Sequence, residues 1–195
     1  LSAIKERNRR KFLMTVEFFP EGGKYHYTGH RNCNISLHPK DAIRLGNKCP
    51  NCGKKLTIGV LQRVEKLADR QEGYIPKNAI PFKNLIPLTE IIAEMFGANV
   101  YSQTVWEEYQ KLIKSFNDEF NILLHIPKEE LMKVTPEKIA DAIIKVRGGK
   151  IDYIPGYDGV YGKPLISSNV GEAFGEKHRR NKDEKPLHRL EDFMS

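Results

Sequence analysis

The chain has 195 residues, of which 39% are hydrophobic and 29% are charged, with a formal net charge of +7 and three cysteines. This length is enough for one medium-sized domain or two small ones, and no apolar run approaches the roughly 18 residues that a membrane-spanning helix needs. No apolar segment follows the basic residues near the N-terminus, so the sequence predicts no signal peptide. Because all three cysteines fit one metal site, we expect a reducing compartment and a cytoplasmic protein.

The first 23 residues predict a linker or edge strand from a missing upstream domain. Residues 13–19 are rich in β-branched and aromatic side chains and end at Pro20, a pattern typical of a strand. The expected class is α+β, in which a small zinc ribbon is followed by a bundle of short helices. We expect four further segments: a zinc ribbon and its following helix (24–72), an extended connector (73–87), a helical domain with a glycine- and tyrosine-rich loop (88–170), and a flexible tail (171–195).

The spacing of histidine and cysteine between residues 30 and 52 predicts a zinc site. His30 and Cys33 are separated by two residues, and so are Cys49 and Cys52. Two such pairs supply the four nitrogen and sulfur ligands of tetrahedral zinc. Because all four positions are filled by protein ligands, the predicted zinc is structural and not catalytic. The alternative is three unrelated cysteines, two of which happen to lie in a surface CxxC.

The fourth ligand is the least certain member of this set. His26 and His38 lie nearby in sequence and compete with His30, but only His30 has the two-residue spacing to Cys33. In this ribbon we expect short strands near residues 25–28 and 56–57, with one helical turn at 41–45.

The positive charge of the chain is concentrated in the ribbon and the helix after it. Residues 24–70 contain ten Lys and Arg against three Asp and Glu. The net charge of this segment is therefore +7, the same as that of the whole chain. A local basic patch is the electrostatic footprint of a phosphate-backbone partner, so we expect DNA contacts there. The candidate contacts are Arg31, Lys48, Lys54 and Lys55. A generic solvated basic surface is the alternative.

Helical periodicity dominates the rest of the chain up to residue 149. Apolar residues recur at helical spacing in 59–71, which predicts a helix. Further helices are expected from Thr89 to Phe96, after a capping box formed by Thr104 and Glu107, over 127–134, and from a Thr135 N-cap to Gly148. Their apolar stripes predict a core and not a cofactor site.

The glycine- and tyrosine-rich loop at 155–164 does not have the spacing of a Walker A phosphate loop. Its turns let the backbone approach a nucleic acid closely, so that Tyr157 and Tyr161 can stack on bases and Lys163 can meet a phosphate. A structural pair of turns with inward-packed tyrosines is an equally good interpretation. No serine, histidine and carboxylate set or second metal cluster is visible, so the sequence predicts no catalytic residues.

The end of the chain contains an apolar cluster after a charged stretch. Leu190, Phe193 and Met194 have the spacing of a short helical plug that docks on a sliding clamp, although Leu187 occupies the place of the usual glutamine. The alternative is a final helical turn that folds back on the bundle.

Three segments taken together resemble one known family. These are residues 16–33, the run from Cys49 to Arg70, and the loop PGYDGVYG at 155–162. They resemble the region of endonuclease Q that follows its catalytic domain, and the similarity extends over about residues 13–166, including 139–143, Arg147 and Gly149. Endonuclease Q proteins contain a polymerase-and-histidinol-phosphatase (PHP) domain and occur in archaea and some bacteria.

The resemblance implies the DNA-binding and lesion-recognition portion of a DNA repair endonuclease. This family nicks DNA on the 5′ side of uracil, hypoxanthine, xanthine or an abasic site, and its PHP domain binds the catalytic Mg²⁺ or Mn²⁺. No PHP metal motif precedes Val16, so we expect this chain alone to be inactive as a nuclease. The alternatives are a standalone zinc-ribbon adaptor that binds a protein and a ribbon protein that binds RNA.

Overall fold

In the computed structural model, residues 1–6, 8, 10–149 and 151–166 are described, and they form short helices and two-stranded sheets of short strands. The helices are α1 (Ser2–Lys5), α2 (Pro39–Arg44), α3 (Val60–Leu67), α4 (Leu88–Phe96), α5 (Gln103–Phe116), α6 (Glu119–Leu124), α7 (Lys128–Met132) and α8 (Glu137–Arg147). The strands are β1 (Thr15–Glu17), β2 (Thr28–His30), β3 (Ile35–Leu37), β4 (Phe82–Asn84), β5 (Asp152–Ile154) and β6 (Lys163–Leu165). The predicted α+β class is confirmed.

The chain divides into two compact units. One comprises Leu1–Phe19 and Lys77–Asp152, and the other comprises Pro20–Pro76 and the described residues from Tyr153 onward. No helix among the described residues has the length and apolar character needed to cross a membrane.

The first unit is a small bundle built on α4 to α8. Helix α4 packs on α5 and α8, while α6 packs on α5 and α8 and α7 packs on α8. Buried aliphatic side chains fill the space between them, as their helical spacing predicts. The fully buried ones include Leu88, Ile91, Val105, Leu112, Ile122, Leu131, Ile139 and Ile143.

Strands β1 and β4 add a parallel pair to this unit, with Thr15 opposite Phe82. The strand at the start of the chain was expected, but its partner lies within the segment that we interpreted as an extended connector. Leu1–Phe19 is grouped with the helical unit in this structure, and β1 is a strand with one partner, in agreement with the edge strand expected within residues 1–23.

One of the predicted helix ends is confirmed by the structure, whereas two of the predicted N-caps are not. Helix α4 ends at Gly97, whose φ of 62° is the left-handed conformation that glycine adopts freely. The predicted capping box is wrong, because Ser102 is the N-cap of α5 and Thr104 lies inside the helix. Glu107 instead accepts a hydrogen bond from the Gln103 side chain at 2.7 Å. The hydroxyl of Thr135 has no hydrogen-bond partner in the described structure, so it does not cap α8.

Arg147 links α8 to α6, a helix that the sequence did not reveal. Its guanidinium donates to the carbonyl oxygens of Ile122, Leu123 and Ile126 at 2.7–2.9 Å. The last carbonyl oxygens of a helix have no N–H donor within that helix. The Arg147 guanidinium therefore supplies N–H donors to carbonyl oxygens at the end of α6. Burial lowers the pKa of Arg147 from its usual value.

The second unit contains a β2–β3 hairpin, α2, α3 and the β5–β6 pair. Its apolar core is small and lies beside the cysteines, with Ile35, Leu37, Ala42, Cys49 and Leu56 buried together. The strands of the ribbon differ from those predicted, since Thr57 makes a single bridge to Gly29 and the second strand is 35–37. Helix α3 is present, but Val60, Val64 and Leu67 on its apolar stripe are exposed.

The glycine- and tyrosine-rich loop also belongs to this second unit and not to the helical one as predicted. The backbone N–H of Tyr27 donates to Gly156 O at 2.8 Å, and the N–H of Gly159 donates to Lys24 O at 2.9 Å. These hydrogen bonds attach the loop to the ribbon although more than 100 residues separate them in sequence.

Candidate metal centre and the loop that supports it

The first half of the candidate metal centre is the turn between β2 and β3. His30 is the last residue of β2, and the chain then makes one turn of 3-10 helix over Arg31–Cys33. Asn34 has a φ of 55°, which reverses the chain into β3 and places Ile35 opposite His30. Asparagine tolerates this left-handed conformation better than other non-glycine residues. The turn therefore brings the His30 and Cys33 side chains close together.

The second half is a tight turn at residues 49–53. The N–H of Cys49 donates to Lys54 O at 2.7 Å, and the N–H of Gly53 donates back to Cys49 O at 2.8 Å. Gly53 has a φ of 71°, as expected for the glycine after a CxxC turn. The backbones of Lys48 and Lys55 form an antiparallel β-bridge across the base of this turn.

The two halves converge on one point. The ligand atoms of His30, Cys33, Cys49 and Cys52 all lie within 4.8 Å of one another. Cys52 Sγ is 3.4 Å from His30 Nδ1. Three thiols and one imidazole are the donor set that a soft, tetrahedral metal ion prefers. Among the residues that the structure describes, this is the one cluster of three or more potential metal ligands.

The competing histidines have other roles. His38 Nδ1 accepts a hydrogen bond from the N–H of Lys40 at 3.3 Å and so caps α2. The His26 ring stacks on Tyr27 with 5.4 Å between ring centroids. Neither histidine belongs to the cluster, so the structure groups His30 with the cysteines, as its spacing predicts.

The thiols of the cluster differ in acidity. Burial, followed by hydrogen bonds and charge from the other two cysteines, raises the pKa of Cys33 to about 11. The backbone N–H of Lys54 lowers the pKa of Cys52. A bound cation would allow the neighbouring thiols to ionise together, so metal binding at this site would release protons.

Asp158 connects the loop to both sides of the candidate centre. Its Oδ2 accepts from the backbone N–H of Arg31 at 2.6 Å, and its Oδ1 accepts from the Thr57 hydroxyl at 2.6 Å. Arg31 directly follows the ligand His30, so this carboxylate orients the first half of the site. Asp158 itself has a φ of 41°, a conformation in which aspartate is enriched.

Tyr157 packs inward beside the same turn. Its side chain is 5% exposed, and its hydroxyl donates to Asn34 Oδ1 at 2.6 Å. A Cβ atom at Gly29 would lie 2.5 Å from the Tyr157 ring, so the hairpin needs glycine at that position. The structure therefore corrects the expectation that Tyr157 stacks on bases, because the ring has no accessible face.

A buried polar network supports the second half of the site and was not predicted. The Thr28 hydroxyl donates to Gln62 Oε1 at 2.8 Å and accepts from the N–H of Gly59 at 3.0 Å. Gln62 Nε2 in turn donates to Asn47 Oδ1 at 3.1 Å. Asn47 lies two residues before Cys49, so α3 is fixed to the chain that enters the turn. The signal for this network in the sequence was Gln62, a polar residue within the apolar pattern of α3.

The predicted nucleic-acid contacts lie on the surface of this unit. Arg31 is adjacent to His30, Lys48 is adjacent to Cys49, and Lys54 and Lys55 follow Cys52. All four side chains are exposed, as is Lys163 in β6. Tyr161 is 68% exposed. The predicted clamp-binding residues Leu190, Phe193 and Met194 lie outside the described residues, and no comparison supports that interaction.

Comparisons with known proteins agree with the resemblance predicted from the sequence. Residues 87–150 match the family model described as the MJ0043 C-terminal domain. The chain is 35% identical over 173 residues to the uncharacterized protein MJ0043 of Methanocaldococcus jannaschii, covering 89% of this chain and 22% of that protein. It is 32% identical over 162 residues to the uncharacterized protein YqxK of Bacillus subtilis, covering 83% of this chain and 38% of that protein.

Two solved structures have a similar fold. The lesion-specific endonuclease PfuEndoQ from Pyrococcus furiosus matches with a TM-score of 0.69 and 32% identity. A complex of endonuclease Q with a 27-mer duplex carrying an abasic lesion at its active site matches with a TM-score of 0.67 and 31% identity. Each match covers 81% of this chain and 40% of the solved chain. The predicted resemblance to endonuclease Q is confirmed, and this chain spans less than half the length of the relatives it matches.

Proposed function

We propose that this chain binds DNA and recognises lesions as part of a repair endonuclease similar to endonuclease Q. The observation that carries this proposal is the grouping of Arg31, Lys48, Lys54 and Lys55 around the metal ligands. None of the four forms an ion pair with a carboxylate within the described part of the chain. Exposed cations without acidic partners favour a polyanion such as the DNA backbone.

The metal that we propose for the four-ligand site is zinc, in a structural role. The ligand atoms of His30, Cys33, Cys49 and Cys52 lie within 4.8 Å of one another, so the four residues would supply all the ligands of a tetrahedral zinc ion and leave no position for water or substrate. Zinc bound there would join the β2–β3 turn to the turn at residues 49–53 and so hold the basic side chains in one arrangement. The positive side chains beside the cluster also balance the negative charge that three thiolates bring.

The substrate that we propose is duplex DNA with a deaminated base or an abasic site. Similarity to a structure that contains an abasic duplex supports this choice, and the family resemblance extends it to uracil, hypoxanthine and xanthine. Cleavage 5′ of the lesion would be the task of a PHP domain with Mg²⁺ or Mn²⁺. The residues described above would position the DNA for that step.

Fluorescence anisotropy with labelled duplexes tests this proposal. The duplexes have one sequence and differ only in a single uracil, hypoxanthine, abasic site or normal base. We expect binding to all of them, with higher affinity for at least one lesion duplex. Absence of binding to any duplex contradicts the proposal, whereas equal affinity for all duplexes contradicts lesion recognition alone.

A protein-binding adaptor is the second candidate, and the exposed face of α3 favours it. Val60, Val64 and Leu67 are 62%, 52% and 63% exposed, and their i, i+4, i+7 spacing is that of a helix that docks in an apolar groove. If this is the main function, replacing Val64 by Glu abolishes recovery of a protein partner, and the same anisotropy titrations detect no DNA binding.

A further inference from the structure

Three segments of the second unit present cationic and aromatic side chains at one place. Lys24 and Tyr25 precede β2, Arg31 follows the ligand His30, and Tyr161 lies in the glycine- and tyrosine-rich loop. Gly159 lies between them: a Cβ atom there would be 3.5 Å from Arg31 Nη1 and 3.8 Å from the Tyr25 hydroxyl. The N–H of Gly159 donates to Lys24 O at 2.9 Å, which fixes the loop against this segment.

Lys24 lies between the two tyrosines. Its Nζ is 5.7 Å from the centroid of the Tyr25 ring and 5.7 Å from that of the Tyr161 ring. Both distances are within the range of a cation–π interaction. Tyr25 and Tyr161 are 46% and 68% exposed, so both rings are accessible to a ligand, Tyr161 more so than Tyr25. In the described residues, neither Lys24 nor Arg31 forms an ion pair with an acidic side chain.

This combination fits an unpaired DNA strand better than an intact duplex. Lys24 beside two exposed rings, with Arg31 next to the same glycine as Tyr25, matches the alternation of phosphate and base along a strand. Bases inside a duplex already stack on their neighbours, so their faces are closed to protein side chains. A base that is extruded or unpaired offers its face, and unpairing costs least at a damaged or mismatched position.

We propose that Lys24, Tyr25, Arg31 and Tyr161 form a binding site for an unpaired segment of DNA, with phosphate at the two cations and a base stacked on Tyr161. The site rests on the proposed DNA-binding function and specifies which form of DNA this part of the surface contacts. Lys24 and Tyr25 become contact residues, and Tyr161 replaces the buried Tyr157 as the stacking residue.

Binding of the intact, metal-loaded chain to a single-stranded oligonucleotide and to an undamaged duplex tests this site. Tyr161→Ala should weaken single-strand binding about 5- to 150-fold, the range for loss of one base stack, and leave duplex binding unchanged. Tyr161→Phe keeps the ring and should retain affinity. Lys24→Gln should lower the slope of log affinity against log salt by about 0.7 on the single strand. Tyr101→Ala is the matched control, because Tyr101 is 85% exposed and lies in the other unit.

The outcomes separate this site from the function on which it rests. If the unmodified chain binds neither DNA, both the proposed function and this site are wrong. If it binds DNA, but neither Tyr161→Ala nor Lys24→Gln changes single-strand binding, this site alone is wrong. Equal losses on single strand and duplex also overturn it, because they mean that the cluster does not distinguish unpaired DNA.

Discussion

The carboxylate of Asp158 accepts a hydrogen bond from the backbone N–H of Arg31 at 2.6 Å, across a separation of 127 residues in sequence. The same side chain accepts from Thr57, so one residue of the loop holds the chain on both sides of the metal ligands. Through Asp158, the glycine- and tyrosine-rich loop therefore supports the candidate metal centre. Replacement of this carboxylate should loosen the metal site without removing a ligand.

We predict that Asp158→Ala lowers the stability of the second unit by about 2 kcal/mol, since hydrogen bonds to a charged group contribute about 1.5–3 kcal/mol. Alanine also tolerates the left-handed backbone of this position poorly. The measurement is the rate at which a chromogenic chelator removes zinc from the intact chain, which should increase. Asp69→Ala, at an exposed aspartate just after α3, should leave the rate unchanged.

We predict about one zinc ion per chain, measured by elemental analysis of the purified protein. Cys49→Ser should lose the metal and the fold of residues 24–58, because Cys49 is both a ligand and a member of the apolar core. His26→Gln removes the competing histidine and should keep the zinc. Retention of stoichiometric zinc by Cys49→Ser would contradict the ligand assignment.

Tyr157→Phe and Tyr161→Phe should differ in stability. The first change removes the hydroxyl that donates to Oδ1 of the half-buried Asn34 at 2.6 Å, and we expect a loss of about 1 kcal/mol. The second change removes a hydroxyl from an exposed ring and should have no effect on stability. Thermal unfolding followed by circular dichroism compares the two, and equal melting temperatures would show that the Tyr157 hydroxyl has no structural role.

Arg147→Lys should destabilise the helical unit despite the conserved charge. Lysine cannot reach the three carbonyl oxygens that the guanidinium contacts at 2.7–2.9 Å, so at least one buried acceptor loses its donor. We expect a decrease of about 1–3 kcal/mol in the free energy of unfolding. Urea unfolding followed by the fluorescence of Trp106, which lies in the same unit, provides the measurement. Lys114→Arg on the exposed surface of α5 is the control, and an equal decrease there would contradict the explanation.

The sequence predicts those parts of this structure that depend on short-range spacing. The two residues between His30 and Cys33, and between Cys49 and Cys52, indicate a four-ligand site, and Gly97 marks the end of α4. Local propensity also identifies α8, although the Thr135 hydroxyl that was expected to cap it has no partner in the described structure.

Contacts between distant segments were not predictable in the same way. Nothing near Asp158 in sequence indicates that Arg31 and Thr57 are its partners. The glycines around Tyr157 were compatible with a presented ring or with an inward-packed one, and the structure shows the second, because the ring fills the space that Gly29 leaves open. The spacing of apolar residues in 59–71 predicted a helix there, but not that its polar Gln62 is the residue that is buried and hydrogen-bonded.

The salt dependence of duplex binding tests the central claim, that the basic side chains around the metal ligands contact the DNA backbone. A variant with Arg31, Lys48, Lys54 and Lys55 all replaced by alanine is compared with one in which Lys83, Lys111, Lys114 and Lys133 of the helical unit are replaced, so that both lose four positive charges. Each lost phosphate contact should lower the slope of log affinity against log salt by about 0.9. We expect the first variant to lose most of the slope and the second to keep it. Unchanged affinity and slope in the first variant, or an equal loss in the second, would contradict the account.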